Sequence, residues 1–248
     1  MAGDLQRLLL SRDLDPVEIV NPGGQAALLL IGDHAGNLVP AALGDLGVSD
    51  ADRARHIGWD IGVDALGRQL ADRLDAVFVR QRYSRLVIDC NRDPMSAEAV
   101  PDASDGTPVP GNMGADRGPR VAEIHIPYQA AIAAALAGRP TDHALVSLHS
   151  FTPVMAGVVR PWQIGVLHAG GNDRLALRLL AWLTARGDLV VGDNEPYRMD
   201  GTDHSVPRHC FPAGRPYVEL EVRQDLIGDT AGVAAMAAVL AEGLLAAL

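Results

Sequence analysis

Three places in the chain put imidazole, carboxylate or amide side chains directly after short apolar runs. These are Asp33, His34 and Asn37 after residues 28–31, Asn91 and Arg92 after residues 86–90, and His149 and Ser150 after residues 144–148. Such runs, bounded by turn signals, read as strands covered on both faces. In open α/β sheets ligands bind just beyond the carboxyl ends of strands, where these polar residues fall. Two neutral imidazoles and a carboxylate, with a fourth position left for water, make the ligand set of a hydrolytic zinc site. His34 and His149 are the candidate imidazoles. For the third ligand Asp60 is favoured over Asn37, because a carboxylate binds zinc far better than a neutral amide. His56, one helical turn before Asp60, is either a partner of the ligands or an alternative ligand. Asp33 is placed to orient the His34 ring.

A second source of chemistry is the run Tyr217-Val-Glu-Leu-Glu-Val-Arg223. Strand alternation puts Glu219, Glu221 and Arg223 on one side and Val218, Leu220 and Val222 on the other. If both faces of that sheet are covered, at least one glutamate is buried and available to take a proton from water and pass it to a leaving amine. Arg82, Arg85, Arg92 and Arg208 fall near the same segments, and the guanidinium fork suits carboxylates, so the substrate is expected to be acidic. For Arg82 a surface ion pair is the preferred reading.

These residues must be positioned by an alternation of strands and helices. The spacing predicts a short N-terminal helix, the Pro22-Gly23-Gly24 turn, and a strand at 28–31. Ser49 then caps one long amphipathic helix over 50–74, built on Ile57, Ile61, Leu66, Leu70 and Leu74. That helix would place His56, Asp60 and Asp64 on one face. Strands follow at 76–80 and 86–90 around a turn at 81–85. Residues 93–118, rich in Pro, Gly, Ser and Asp, are longer than an ordinary connection and are either mobile or a loop over the site. A helix over 119–136, bent at Pro127, leads to strands at 144–148 and 163–167, a helix at 173–186 and a strand at 189–192. The polar connection 193–215 carries Asn194, Glu195, His204, Arg208 and His209. A strand at 217–223 and an alanine-rich helix from Thr230 complete the chain. With no repeat and no linker, the expectation is one α/β domain over 1–248, a three-layer sandwich around a mixed, mostly parallel sheet.

Composition narrows the function. The 248 residues carry 21 basic and 31 acidic side chains, a formal charge of −10, which argues against a nucleic-acid partner. Every basic residue is Arg, so lysine Schiff-base and P-loop chemistry is excluded. Two isolated cysteines, Cys90 and Cys210, form no disulfide framework. The leucines at 8–10 are too few for a signal peptide and no segment reads as membrane-spanning, so a cytoplasmic location is expected. No GxSxG elbow, Walker loop or GxGxxG opening is present.

Together the segments DHAGN (33–37), WDIG (59–62), YSRLVIDCNR (83–92), SLHS (147–150), DNEPY (193–197), PRH (207–209) and VELEVRQD (218–225) resemble the N-formylglutamate amidohydrolase family. The resemblance spans nearly the whole chain in the expected order. It implies a phosphorylase/hydrolase-like fold, as in zinc carboxypeptidases and aspartoacylases, and metal-dependent hydrolysis of an N-acyl amino acid such as N-formyl-L-glutamate. Zinc, or another divalent transition metal, is the implied cofactor. His34 falls at the first histidine of the wider group's H-x-x-E motif and His149 at its later zinc histidine. Where that motif has Glu, this chain has Asn37, which leaves the third ligand to Asp60. Glu221 looks like the general base. Arg85 would stabilise the oxyanion, while Asn91, Arg92, Ser150 and Arg208 would hold the substrate, and His209 would assist proton transfer or close over it. A monomer or small homo-oligomer without nucleic-acid or membrane partners is expected. The alternatives are a zinc carboxypeptidase, an amidase acting on another acylated amino acid or peptide, and a non-catalytic binder of acidic metabolites.

Overall fold

A computed structural model describes residues 7–248. Its centre is a seven-stranded mixed sheet. The strands are β1 (Val17–Val20), β2 (Leu28–Gly32), β3 (Val77–Gln81), β4 (Ala144–Phe151), β5 (Ile164–Leu167), β6 (Val191–Asp193) and β7 (Tyr217–Arg223). They lie in the order β1-β3-β2-β4-β7-β5-β6. Only the β1/β3 and β7/β5 pairs are antiparallel. Strands β2, β4 and β7 are buried along nearly their whole length, which is why β2 and the start of β4 read as apolar runs.

Alternation divides these strands between two cores. Leu28, Leu30, Val146, Leu148, Val218, Leu220 and Val222 face one layer. That layer consists of the helices α1 (Val63–Leu74), α3 (Arg174–Arg186) and α5 (Thr230–Ala247). Leu29, Ile31, Leu145 and Tyr217 face the other, packed against α2 (Ile126–Leu136) and the short α4 (Ser205–Cys210). The architecture is the expected three-layer α/β sandwich. Helix α5 is 18 residues long with a mean hydropathy of 1.7, apolar enough to cross a membrane by composition, contrary to the expectation of no such segment. One of its faces packs on α1 and α3.

Several expected elements differ. The proposed N-terminal helix lies partly outside the described residues, and residues 7–16 form bends and turns leading into β1, a strand missing from the sequence expectation. The single helix over 50–74 is two pieces, residues Asp50–Arg53 and α1, separated by an irregular segment. Two glycines break it. A Cβ on Gly58 would sit 2.2 Å from the Arg53 carbonyl oxygen, and Gly62 has φ +86°. His56, Asp60 and Asp64 therefore do not share a helical face, and Asp64 pairs with Arg68 and Arg80 instead. Residues 86–90 are not a strand. The Val87 amide donates to Ser84 O and the Asp89 amide to Ala99 O, making a chain of turns whose apolar side chains fill the second core. Residues 93–118 pack through Asn112, whose side chain donates to Leu86 O and Pro101 O. Their Ser104 and Asp105 stand beside His56 and Arg85.

Candidate metal centre

The second face of the sheet is left uncovered near the carboxyl ends of β2, β4 and β7, and a cavity of about 490 Å³ opens there. His34 follows β2, His149 lies within β4, and Asp60 is held beside them by its own amide, which donates to His34 O at 2.9 Å. Donor atoms of His34, Asp60 and His149 all lie within 4.8 Å of one another. All three residues are buried, at 2–3% exposure.

The two rings present the same nitrogen to this centre. His34 Nδ1 and His149 Nδ1 stand 3.4 and 3.0 Å from Asp60 Oδ2. Their other nitrogens are engaged elsewhere. His34 Nε2 is 2.7 Å from Asp89 Oδ1. His149 Nε2 is 3.0 Å from Ser147 Oγ and 3.5 Å from Asp33 Oδ2. Metal-bound histidines characteristically give their second nitrogen to a carboxylate, which fixes tautomer and ring orientation. His34 Nδ1 is buried with no hydrogen-bond partner. That orphan, together with the donor set of two imidazoles and a carboxylate, fits a divalent transition metal.

The surrounding charges support the same reading. Arg85 bridges Asp60 Oδ1 at 3.3 Å and Asp89 Oδ2 at 2.8 Å. Burial works against ionising Asp89, yet His34 and Arg85 hold its carboxyl well below the usual range. Asp60 is likewise lowered against its burial, by His34, His149 and Arg85. Burial opposes charge on His149 as well, and Asp33 and Asp60 still raise it. Acceptors arranged to stabilise an imidazolium stabilise a dication once the rings are neutral.

Glu221 sits directly opposite His149 in the β4/β7 register and Glu219 opposite Ser147. Both face the cavity, and burial pushes each up to about 8. Each has an Oε2 with no hydrogen-bond partner. Arg85, Asn91, Arg92 and Ser150 line the same cavity. Asn91 Oδ1 accepts the amides of His204 and Ser205, and Arg92 Nη1 contacts Asp203 Oδ1 at 3.4 Å. Ser150 Oγ donates to Ile61 O at 2.9 Å.

Some expected site residues lie elsewhere. Segment 205–210 folds as α4 and packs on α2, a helix absent from the sequence expectation. Arg208 thereby borders a separate cavity with His125, Gln129 and His204, and His209 Nε2 lies 2.7 Å from Gln129 Oε1. Neither lines the cavity at the metal centre. Asn37 also turns away, its Nδ2 donating to Arg53 O at 2.8 Å. His56 lines the cavity but pairs with Asp105 at 3.5 Å. Asp33 serves His149 rather than His34. Arg82 pairs with Glu18. Asp89 and Ser147 were missed; the only signal for Asp89 was its place in YSRLVIDCNR, two residues before the Asn-Arg pair. Tyr197, Arg198 and Asp203, also missed, form the wall supplied by the connection after β6.

Comparison with known proteins places the chain in a family. The family model for N-formylglutamate amidohydrolase matches residues 26–228. Among solved structures, the gene product Atu2144 from Agrobacterium tumefaciens is 35% identical, with 97% of this chain and 98% of that one covered at a TM-score of 0.92. The N-formylglutamate amidohydrolase from Ralstonia eutropha JMP134 is 21% identical, covering 94% and 96%, with a TM-score of 0.66, a likeness of fold. No curated protein sequence matches the chain. By the extent of the family match, the chain belongs to the N-formylglutamate amidohydrolase family and is an amidohydrolase.

Proposed function

We propose that this amidohydrolase is metal-dependent and cleaves the amide bond of N-acyl amino acids, N-formyl amino acids foremost, releasing the free amino acid. One observation carries the reading. Two buried imidazoles direct Nδ1 at one carboxylate oxygen while their other nitrogens are tied to acceptors, beside a buried glutamate that faces the same cavity.

His34, Asp60 and His149 would hold a divalent metal ion, zinc in the first instance, which would supply Lewis acidity toward the amide carbonyl and the attacking water. Glu221, beside His149, takes the proton of the attacking water and delivers it to the leaving nitrogen. Its burial keeps its proton affinity near neutral pH, where a group that must both accept and return a proton is most effective. Arg85 turns its charge toward the carbonyl oxygen as negative charge develops there, with Asp60 and Asp89 keeping the guanidinium in place. Arg92, Asn91 and Ser150 form the wall against which the substrate carboxylate is oriented.

The test is metal analysis of protein purified without chelators, followed by a screen of N-formyl, N-acetyl and N-succinyl amino acids read by amine release. About one transition-metal ion per chain and turnover of at least one class are expected. Glu221→Gln should keep the metal and lose about 10²- to 10⁴-fold in turnover. Turnover that survives this substitution, or activity unaffected by complete metal removal, would overturn the reading.

A further inference from the structure

Tyr197 and Arg198 line the cavity and have no part in the chemistry above. Arg208, expected from the sequence to hold substrate, borders a different cavity. The other guanidinium groups on the cavity wall are engaged. Arg85 is bound to Asp60 and Asp89, and Arg92 faces Asp203 and Glu98. Arg198 forms no ion pair among the described residues, and it is exposed, so a solute entering the cavity can reach it.

The acidic residues that follow Arg198 are turned to their own loop and its neighbours. Asp200 Oδ1 accepts from the amide and the hydroxyl of Thr202, both at 2.7 Å. Asp203 Oδ2 accepts the Asp200 amide at 2.8 Å, and its Oδ1 meets Asn91 Nδ2 and Arg92 Nη1 at 3.3 and 3.4 Å. Tyr197 is anchored by Arg160, which also forms no ion pair among the described residues. Arg160 Nη1 donates to Tyr197 Oη at 2.9 Å, and the guanidinium lies over the ring, 4.8 Å from its centroid. A phenol that accepts in this way still has its one proton to give. Burial and the charge of Glu221 push the phenol up, so that proton stays on it at neutral pH.

We propose that Arg198 is the residue that recognises a carboxylate on the substrate side chain, with Tyr197, held in place by Arg160, as the second donor. This rests on the amidohydrolase reading of the same cavity and assigns the residues that set its selectivity. The substrate α-carboxylate keeps the wall of Arg92, Asn91 and Ser150. A guanidinium and a phenol O–H from consecutive residues offer donors to both oxygens of a carboxylate. A side chain of the same shape ending in a neutral amide has one acceptor oxygen, and its NH2 group would face donors.

The test compares kcat/KM of metal-loaded protein for N-formylglutamate and N-formylglutamine, which differ in charge but hardly in shape. The glutamate compound is expected to lead by at least about tenfold, as for a hydrogen bond to a charged group. In Arg198→Gln, checked for unchanged melting temperature and metal content, that ratio should fall close to one, mainly through KM. Tyr197→Phe and Arg160→Met should each lower it by a smaller factor, and the double variant should lower it no further than Tyr197→Phe alone. Additive losses would overturn the role of Arg160. A second arm measures calorimetric binding of free glutamate and free glutamine to the wild type and to Arg198→Gln. Tighter glutamate binding that is lost in Arg198→Gln supports the subsite even where no amide is cleaved, so failed hydrolysis counts against the hydrolase reading alone. Equal binding of the two ligands by the wild type, or a glutamate preference that survives Arg198→Gln in either arm, overturns the assignment.

Discussion

Asp89 holds His34 with one carboxylate oxygen and Arg85 with the other, at 2.7 and 2.8 Å. Through this one residue the orientation of a candidate ligand is tied to the position of the cation nearest the centre. The arrangement depends on the turns of residues 84–91, which bring the Asp89 carboxylate to His34 Nε2.

Asp89→Asn removes the charge but keeps the shape. Loss of a carboxylate behind a ligating imidazole typically costs about 10- to 100-fold in metal affinity. That loss should appear in competitive titration with a chromophoric chelator, with the circular-dichroism spectrum unchanged. An unaltered affinity would mean that Asp89 acts on Arg85 alone.

Asp60 and Asn37 are separable. Asp60→Ala should abolish stoichiometric metal binding. Asn37→Ala should retain it and cost only about 1 kcal/mol of stability, the worth of the hydrogen bond to Arg53 O. Metal analysis and chemical denaturation of both variants decide the matter, and metal loss in Asn37→Ala would return the ligand to the loop after β2.

Gly62 precedes α1 with φ +86°, and a Cβ there would lie 2.3 Å from Ile227 O. Gly62→Ala is therefore strained both by conformation and by contact, at a cost on the order of 1–3 kcal/mol. Because the segment also carries Asp60, metal affinity should fall with stability. Gly23→Ala, with nothing within 4 Å of the added carbon, is the neutral control for the melting measurement.

Acid stability should depend on two histidines outside the candidate metal centre. Burial, reinforced by Arg139 and Arg215, lowers His143 to about 4, and burial with Arg208 does the same for His209. Both titrate at about 6.5 in the unfolded chain. Between pH 4 and 6.5 the unfolded state thus binds more protons, so stability rises with pH there. The contribution is complete above about 6.5 and is lost as pH falls toward 4. Urea midpoints at pH 7 and 5 should fall less in His143→Leu combined with His209→Gln than in the wild type, and an equal fall would rule these groups out.

How much of this was legible in the sequence depends on the range of the contact involved. Strand periodicity is local, so residues Tyr217–Arg223 and the strand ends carrying His34 and His149 could be read directly. The break in the helix before Asp60 could not. Apolar spacing at Ile57, Ile61 and Leu66 suits a helix, and it was overridden by the close approach of Gly58 to Arg53 O and of Gly62 to Ile227 O. The apolar run at 86–90 likewise reports burial in the second core without distinguishing a strand from turns.

The sequence by itself determined most of the alternating α/β order and the residue types available for hydrolysis, because these follow from composition and short-range pattern, and its motifs carried the family resemblance. Only the tertiary structure decided which of them meet. It brought Asp60 between two imidazoles across 26 and 89 residues of chain (60 − 34 and 149 − 60). It also set Asp89 behind His34, sent Arg208 and His209 to the flank of α2, and left Glu219 open beside Glu221. Those outcomes depend on packing and hydrogen bonds between segments far apart in sequence, which no local pattern encodes.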